Sequence, residues 1–395
     1  MDELDNYGVL STNNLDVKLF ERLLSNNDQG YKFYWLEAIM RLIPSGRRVL
    51  SFEDIVNEMI WEAWKTVTYY NLRLGHTVNG NPENFLEHAI RTLEACSKEE
   101  RANRNVSREM IISLIKKYDE KLIADKLHLT DYVPYRIIKP FVDKEGKEYI
   151  DKKQYGRFIA YLSEFNRINN NYFYTIIEAS SPLYRCVSLN EQWYDFMIRN
   201  YAVIMGWIQY SKAHFVQDRN PDVPRVIDKI SPESDEARKS LENARNLWIS
   251  TVELTGKPLY EIYTGKEISL NEFDLDHFVP WSYVSNDELW NLIPMSKKLN
   301  CSKNNKLPEK KYLSEMINYQ FYLYGLIFNN NSIEQTTKLM QLFEKCKKQH
   351  LNADWALRDL YVSGKSYKSF KYVLGKKLGN IYDAAKMQEY EIWEF

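Results

Sequence analysis

Four polar residues between positions 276 and 303 have side chains suited to hydrolysing a phosphodiester bond. The carboxylate of Asp276 and the amide oxygen of Asn300 are hard oxygen ligands of the kind Mg²⁺ prefers, and they leave coordination positions for water and phosphate oxygens. His277 can take a proton from an attacking water, because an imidazole titrates near neutral pH. Lys303, about one helical turn beyond Asn300, can contact a phosphate group. These residue types predict a metal-assisted hydrolytic site.

Each of these residues also has a simpler interpretation. Asp276 and His277 can be a hydrogen-bonded pair at the end of a strand, and Asn300 can be an exposed residue of a helix. An ordinary solvated surface explains the lysines after Asn300 as well as phosphate contact does; they are Lys303, Lys306, Lys310 and Lys311. The other histidines stand singly in the sequence, so we assign them to packing or to the surface.

Two short strands and a helix are predicted to position these side chains. Residues 273–278 alternate apolar and acidic side chains, as in a strand that ends at the Asp-His pair, and Pro280 then interrupts the pairing. Residues 290–295 predict a second strand, after which Ser296 can cap a helix. A strand, a loop, a strand and a helix can fold back so that the polar side chains converge in a ββα unit.

The same stretch carries an ordered set of residues that resembles a known motif. An Asp-His pair is followed by a Val-Pro pair, a serine, a middle asparagine and a final asparagine in a short polar helix. The matching residues are Asp276, His277, Val279, Pro280, Ser282, Asn291 and Asn300. The pattern resembles the HNH, or His-Me finger, endonuclease motif, in a zinc-free form similar to the HNH domain of RNA-guided CRISPR nucleases. The resemblance covers roughly residues 253–308.

This resemblance implies a ββα-metal fold and a role for each matching residue. It makes Asp276 and Asn300 the metal ligands, His277 the base that activates water, and Asn291 a structural residue that clamps the loop presenting the histidine. Because Asn300 replaces the final histidine of many members, the expected ion is Mg²⁺ or Mn²⁺ rather than a softer metal. More loosely, the chain is similar to stand-alone bacterial HNH proteins, some of which act in defence against phages beside a partner ATPase.

The composition indicates a folded, helix-rich protein with little overall charge. Of 395 residues, 44% are hydrophobic and 14% aromatic, and the formal net charge is −1, so DNA must bind a local basic surface or a partner's surface. The four cysteines include no CxxC pair, which disfavours a structural zinc site and favours a reducing cytoplasm. The most apolar run, residues 201–210, is too short to span a bilayer, so we expect a cytoplasmic protein with no membrane partner.

The periodicity of apolar residues predicts an α+β protein that is predominantly α-helical. We expect three domains: a mainly helical recognition or regulatory domain at 1–225, the nuclease domain at 226–315 with its core at 253–308, and a helical C-terminal extension at 316–395. Helices are predicted at 34–43, 52–67, 84–96, 107–127, 193–215, 311–328 and 333–343, with a helix start at Ser231, Pro232 and Glu233. Strands are predicted at 172–177 and 184–189, a turn at 141–146 and a hairpin at 260–268. The helix at 193–215 is apolar nearly all round, which predicts burial on most sides.

Two functions from different classes are consistent with these features. The leading hypothesis is a metal-dependent endonuclease that cleaves DNA to 5′-phosphate and 3′-hydroxyl ends, and the intact Asp, His and Asn set favours it. The alternative is a nucleic-acid-binding or scaffolding subunit with a degenerate HNH unit, acting with a partner ATPase. A cluster of lysines and aromatic residues at 365–377 can grip a nucleic-acid backbone, or it can be a solvated surface, which such short lysine runs usually are.

Overall fold

A two-stranded ribbon followed by a short helix carries the predicted site in a computed structural model of the protein. The structure describes residues 15–25, 27–76, 83–100, 106–169, 171–230, 240–328 and 333–394. The helix start predicted at Ser231, Pro232 and Glu233 lies outside these ranges. Within them the protein is α+β and predominantly helical, as predicted. Among the same residues, no helix combines the length and the apolar character needed to cross a membrane.

The chain divides into two compact units that are not continuous in sequence. The first unit comprises Met1–Pro221 and Val226–Ser234, and the second comprises Asp222–Arg225 and Asp235–Phe395. The short segment Asp222–Arg225 therefore belongs to the second unit, although residues of the first unit precede and follow it.

The first unit contains ten helices and a small sheet in the ranges that the structure describes. The helices are α1 Val17–Glu21, α2 Tyr31–Leu42, α3 Phe52–Thr68, α4 Phe85–Cys96, α5 Arg108–Lys117, α6 Asp119–Arg136, α7 Lys144–Asp151, α8 Tyr155–Ile168, α9 Glu191–Arg199 and α10 Tyr201–Arg219. The strands are β1 Val49–Ser51, β2 Tyr174–Ile177 and β3 Cys186–Leu189. They pair antiparallel in the order β1-β3-β2. The two strands predicted at 172–177 and 184–189 are thereby confirmed.

Aromatic rings pack in the core of this unit, and polar side chains cap the starts of several of its helices. The ring of Phe20 stacks on Trp193 with centroids 5.4 Å apart, and both side chains are fully buried. Ser51 caps α3, because its side chain accepts the backbone N–H of Asp54 at 3.0 Å. Asn84 caps α4 in a reciprocal capping box with Glu87. The helices predicted at 52–67 and 84–96 are confirmed.

Three predictions for this unit are wrong in detail. Residues 141–146 are not a turn, because Asp143 accepts the N–H of Gly146 at 3.0 Å and starts α7. The predicted helix at 107–127 is interrupted at Tyr118, which separates α5 from α6. The helix predicted at 193–215 is two helices that meet at Asn200. The second of them, α10, is buried along one stripe only, since Tyr210 on another face is 54% exposed.

The second unit contains the two strands of the site, a hairpin and several helices. The helices are α11 Glu242–Thr255, α12 Trp281–Val284, α13 Lys297–Lys303, α14 Leu313–Phe328, α15 Ile333–His350 and α16 Tyr367–Met387. The strands are β4 Leu259–Tyr260, β5 Glu267–Ile268, β6 Phe273–His277 and β7 Leu292–Ser296. Strands β4 and β5 pair antiparallel, which confirms the predicted hairpin at 260–268.

Strands β6 and β7 and helix α13 form the predicted ββα unit. The strands pair antiparallel, with Asp276 opposite Ile293 and His277 opposite Leu292. Ser296 is the N-cap residue of α13, although its side chain makes no cap hydrogen bond; its backbone N–H instead donates to Glu261 at 2.9 Å. The hairpin that contains Glu261 thus braces the junction between β7 and α13.

Candidate functional site

Strand β6 ends at two adjacent residues with different partners. Asp276 is 4% exposed and pairs with Lys303 of α13, whereas His277 is 9% exposed and pairs with Asp287 in the connection between β6 and β7. Successive side chains of a strand point to opposite faces, which explains why neighbouring residues reach different elements. The site is therefore built around the carboxyl end of one strand.

The ammonium of Lys303 binds the carboxyl end of β6. Its Nζ donates to Asp276 Oδ1 at 3.1 Å and to the carbonyl oxygen of His277 at 2.7 Å, and the lysine side chain is fully buried. Burial raises the pKa of the Asp276 carboxyl, while Lys303 opposes that rise. Burial also lowers the pKa of the Lys303 ammonium. A phosphate contact by Lys303 requires the ammonium to leave Asp276, and that contact stays a prediction.

The second carboxylate oxygen of Asp276 is a candidate metal ligand. Oδ2 is buried and has no hydrogen-bond partner, whereas Oδ1 accepts from Lys303. A buried acceptor without a partner is costly, because it has lost water and gained nothing in exchange. A divalent cation at Oδ2 would remove that cost, so the carboxylate fits the metal that the residue pattern predicts.

Asn300 lies on α13 three residues before Lys303, which places both on one side of the helix. Its side chain is half-buried and makes no hydrogen bond within the part of the chain that the structure describes. The described ranges contain no cluster of three or more His, Cys, Asp or Glu side chains that could hold a metal ion. A cation at this site would therefore depend on one carboxylate, one amide oxygen, and water or phosphate oxygens.

His277 is oriented by an acidic residue that our sequence analysis missed. Its Nε2 lies 3.0 Å from Asp287 Oδ1, and both side chains are nearly buried. An ionised carboxylate can only accept, so Nε2 carries a proton, and in the neutral imidazole Nδ1 then keeps the lone pair. No described residue bonds Nδ1. Asp287 lies between Asn286 and Glu288, and the sequence does not distinguish it from these polar neighbours. A general base needs a nearby acceptor to orient it, and this requirement could have directed the search to the acidic residues that follow His277.

Asn291 joins the start of this loop to its end. Its Oδ1 accepts the N–H of Val279 at 2.9 Å, and its Nδ2 donates to the carbonyl of Val279 at 2.8 Å. Its own carbonyl accepts the N–H of Phe278 at 2.8 Å, and the residue is fully buried. These bonds fasten the two residues that follow His277.

Further contacts hold the middle of the loop. Ser285 has a left-handed backbone with φ of 52°, and its carbonyl accepts Arg225 Nη1 at 2.7 Å. The buried carboxylate of Glu288 accepts the indole N–H of Trp290 at 3.0 Å and the backbone N–H of Asn352 at 3.1 Å. Asp287, which binds His277, lies between these two anchored residues. Its position is thus set by contacts on both sides.

Replacing Asn291 with Ala should destabilise this loop. The change leaves the buried N–H and carbonyl of Val279 without the partners they have now, at about 1–3 kcal/mol for each group that finds no water. Hydrogen exchange of peptides covering residues 278–291 should accelerate, and plasmid cleavage should fall. Asn380→Ala is the matched control, because Asn380 is exposed on α16. Equal exchange rates in the two variants would contradict the clamp.

The stretch that carries the site matches one known protein family. Residues 261–309 match the model of a family described as HNH endonuclease. The match includes the β4–β5 turn, both strands of the site, α13 and every site residue predicted above, as well as Asp287. No curated protein and no solved structure matches the chain.

Proposed function

We propose that residues 261–309, which form a domain of the HNH endonuclease family, hydrolyse DNA phosphodiester bonds with the help of a divalent metal ion. The observation that carries the proposal is the pair of acceptors at the end of β6. Asp276 has a buried carboxylate oxygen with no hydrogen bond, and His277 keeps the lone pair of Nδ1 because Asp287 occupies Nε2. The first acceptor suits a cation and the second suits a proton. Metal-assisted hydrolysis of a phosphodiester uses both a bound cation and a proton acceptor.

The reaction follows from these two acceptors. Nδ1 of His277 takes a proton from a water molecule, whose oxygen attacks the phosphorus as the bond to the 3′ oxygen breaks. The departing 3′ oxygen takes up a proton from solvent water, so the products are a 5′-phosphate and a 3′-hydroxyl. Asp287 keeps the imidazole in the required tautomer and stabilises the imidazolium that forms, as an orienting carboxylate does in other hydrolases.

Asp276 and Asn300 would hold the metal ion. Bound there, the ion would stabilise the negative charge that develops on the phosphate oxygens and on the leaving oxygen. Since both donors are hard oxygen atoms, we propose Mg²⁺ or Mn²⁺. The Lys303 ammonium is already within 3.1 Å of the same carboxylate, so it keeps the site partly neutralised before a metal binds.

Exposed basic residues in the second unit support DNA as the substrate. Helix α16 exposes lysines that form no ion pair within the described residues; they are Lys368, Lys371, Lys376 and Lys377. Tyr372, between them, is 67% exposed and offers a ring on which a base can stack. Phe370 is fully buried, so the predicted lysine–aromatic cluster is only partly on the surface.

Cleavage of supercoiled plasmid in Mg²⁺ tests this function directly. We expect conversion to nicked or linear DNA in Mg²⁺ and none in EDTA, because the phosphoryl charge would then be uncompensated. Asn300→Ala should raise the Mg²⁺ concentration for half-maximal cleavage about tenfold or more, because it removes a ligand oxygen. Cys301→Ala, an exposed neighbour on the same helix, is the control. Cleavage in EDTA would refute the metal requirement, and identical titrations for the two variants would refute Asn300 as a ligand.

We also propose a cellular setting for this activity, namely defence against phages beside a partner ATPase. The resemblance to stand-alone bacterial HNH proteins supports it. The partner and the setting stay predictions.

A further inference from the structure

A cleft in the first unit collects positive charge far from the nuclease residues in sequence. It has a volume of about 590 Å³, and its walls come from the segment between α1 and α2, the end of α6 and helix α7. Five of the described residues that line it are basic: Arg22, Lys32, Arg136, Lys139 and Lys147. Two of them are acidic, Asp28 and Asp151. The described lining thus has three more basic than acidic side chains.

Most of this charge is not neutralised by the protein. Lys139 Nζ pairs with Asp151 at 2.6 Å, and Lys32 Nζ donates to the backbone carbonyl of Ser25 at 2.6 Å. The three remaining basic side chains form no ion pair with a carboxylate within the described residues; they are Arg22, Arg136 and Lys147. Arg136 instead lies over the ring of Tyr132, 4.9 Å from its centroid. The guanidinium and ammonium donors of these residues are therefore available to a ligand.

The cations also act on one another. The pKa of Lys32 is lowered to about 8, mainly by burial and also by the charges of Arg136 and Lys139, which Asp28 only partly offsets. Because these like charges repel one another, they raise the free energy of the cleft when all of them are charged. A bound anion would lower it, and the lysine would then hold its proton more firmly.

The walls indicate what kind of anion fits. Among the described residues that line the cleft, Pro140 is the one apolar residue, and none has an aromatic ring. The described lining therefore offers a nucleobase no aromatic ring to stack on, whereas it offers phosphate oxygens lysine and arginine donors from several elements. The volume lies within the usual range for small-molecule sites.

We propose that this cleft binds a ligand through two or more linked phosphates. The phosphates can belong to a free oligophosphate, such as the tail of a nucleotide, or to successive positions of a nucleic-acid backbone. Arg136 and Lys147 are the central contacts, since they line the cleft from different helices and neither forms an ion pair within the described residues. The inference goes beyond the proposed nuclease function and does not depend on it.

Calorimetric titration of the 395-residue chain with sodium tripolyphosphate, in EDTA so that DNA cleavage is excluded, tests the proposal. We expect saturable binding, weakened about tenfold by Arg136→Gln and by Lys147→Gln, because each removes a charge-assisted contact. Lys144→Gln is the matched control: it removes an exposed lysine of the same helix that does not line the cleft, and binding should be unchanged.

A competing short DNA duplex identifies the source of the phosphates. Displacement of tripolyphosphate by the duplex, with the duplex itself bound more weakly by Arg136→Gln, would identify a nucleic-acid backbone. Binding of tripolyphosphate that the duplex does not displace would identify a free oligophosphate. The proposal is overturned if neither probe binds at millimolar concentration, or if Lys144→Gln weakens binding as much as Lys147→Gln does.

Discussion

Replacement of His277 by Ala is expected to lower the rate of plasmid cleavage by about 10²- to 10⁴-fold, which is what a positioned general base contributes. The side chain is 11% exposed and makes one hydrogen bond, to Asp287, so the loss should be chemical rather than structural. Gel-based cleavage rates at saturating Mg²⁺ measure the effect. Unchanged hydrogen exchange in residues 273–277 would show that the strand is intact. Full activity in His277→Ala would eliminate the mechanism.

A double-mutant cycle separates the role of Asp287 from a purely structural one. Asp287→Ala alone should slow cleavage about 10- to 100-fold, the cost of removing an orienting hydrogen bond from a functional side chain. In the His277→Ala background the same change should cost almost nothing more, because Asp287 acts through the imidazole. Additive losses would indicate that Asp287 contributes independently of His277.

Breaking the buried pair between Asp276 and Lys303 is expected to have the largest effect on stability. Either Asp276→Ala or Lys303→Met leaves one buried charge without its partner, at a cost of about 3–5 kcal/mol. The double variant should be less destabilised than either single one, because no buried charge remains. Hydrogen exchange of residues 273–277 and 297–303 reports the local free energy of opening. Lys298→Met, an exposed lysine of the same helix, should change it by less than about 0.5 kcal/mol.

The same variants test whether Lys303 competes with a metal ion for Asp276. In Lys303→Met the carboxylate has lost its cation, so added Mg²⁺ should slow hydrogen exchange more than it does in the wild-type protein. In Asp276→Ala, Mg²⁺ should have no such effect. Equal protection by Mg²⁺ in all three proteins would place the metal elsewhere.

The structural features that could be predicted from the sequence are those set by residues close together in the chain. The alternation of β6, the apolar run of β7 and the position of the Ser296 cap are local signals, so the ββα unit was predictable. The HNH resemblance rested on the same short stretch, and the family match confirms it. The hairpin before β6 was predictable for the same reason, since turn residues separate two short runs there.

What could not be predicted depends on burial. The sequence suggested a phosphate contact or a solvated surface for Lys303, since it does not show which side of α13 is covered, but the side chain is fully buried. Asp287 is one of four consecutive polar residues, Ser285 to Glu288, and only the folded loop brings it to His277. The all-round apolar character of 193–215 suggested burial, yet the part of α10 that is buried includes Lys212, which pairs with the buried Glu37 at 2.5 Å. Apolar composition does not tell which face of a helix is covered.

The interleaved connection between the two units has a practical consequence for anyone who wishes to separate them. In the first unit, Val226 and Ile230 are buried, and the carbonyl of Lys229 accepts the hydroxyl of Thr66 at 3.0 Å. In the second unit, Arg225 binds the Ser285 carbonyl and the carbonyl of Asp222 accepts the hydroxyl of Tyr283. No single cut in the chain leaves both units whole. A nuclease fragment that begins after Arg225 would lose the Arg225 contact that anchors the loop carrying Asp287. A fragment that begins before Asp222 would keep this contact. It would also include Val226 and Ile230, whose side chains are buried in the first unit.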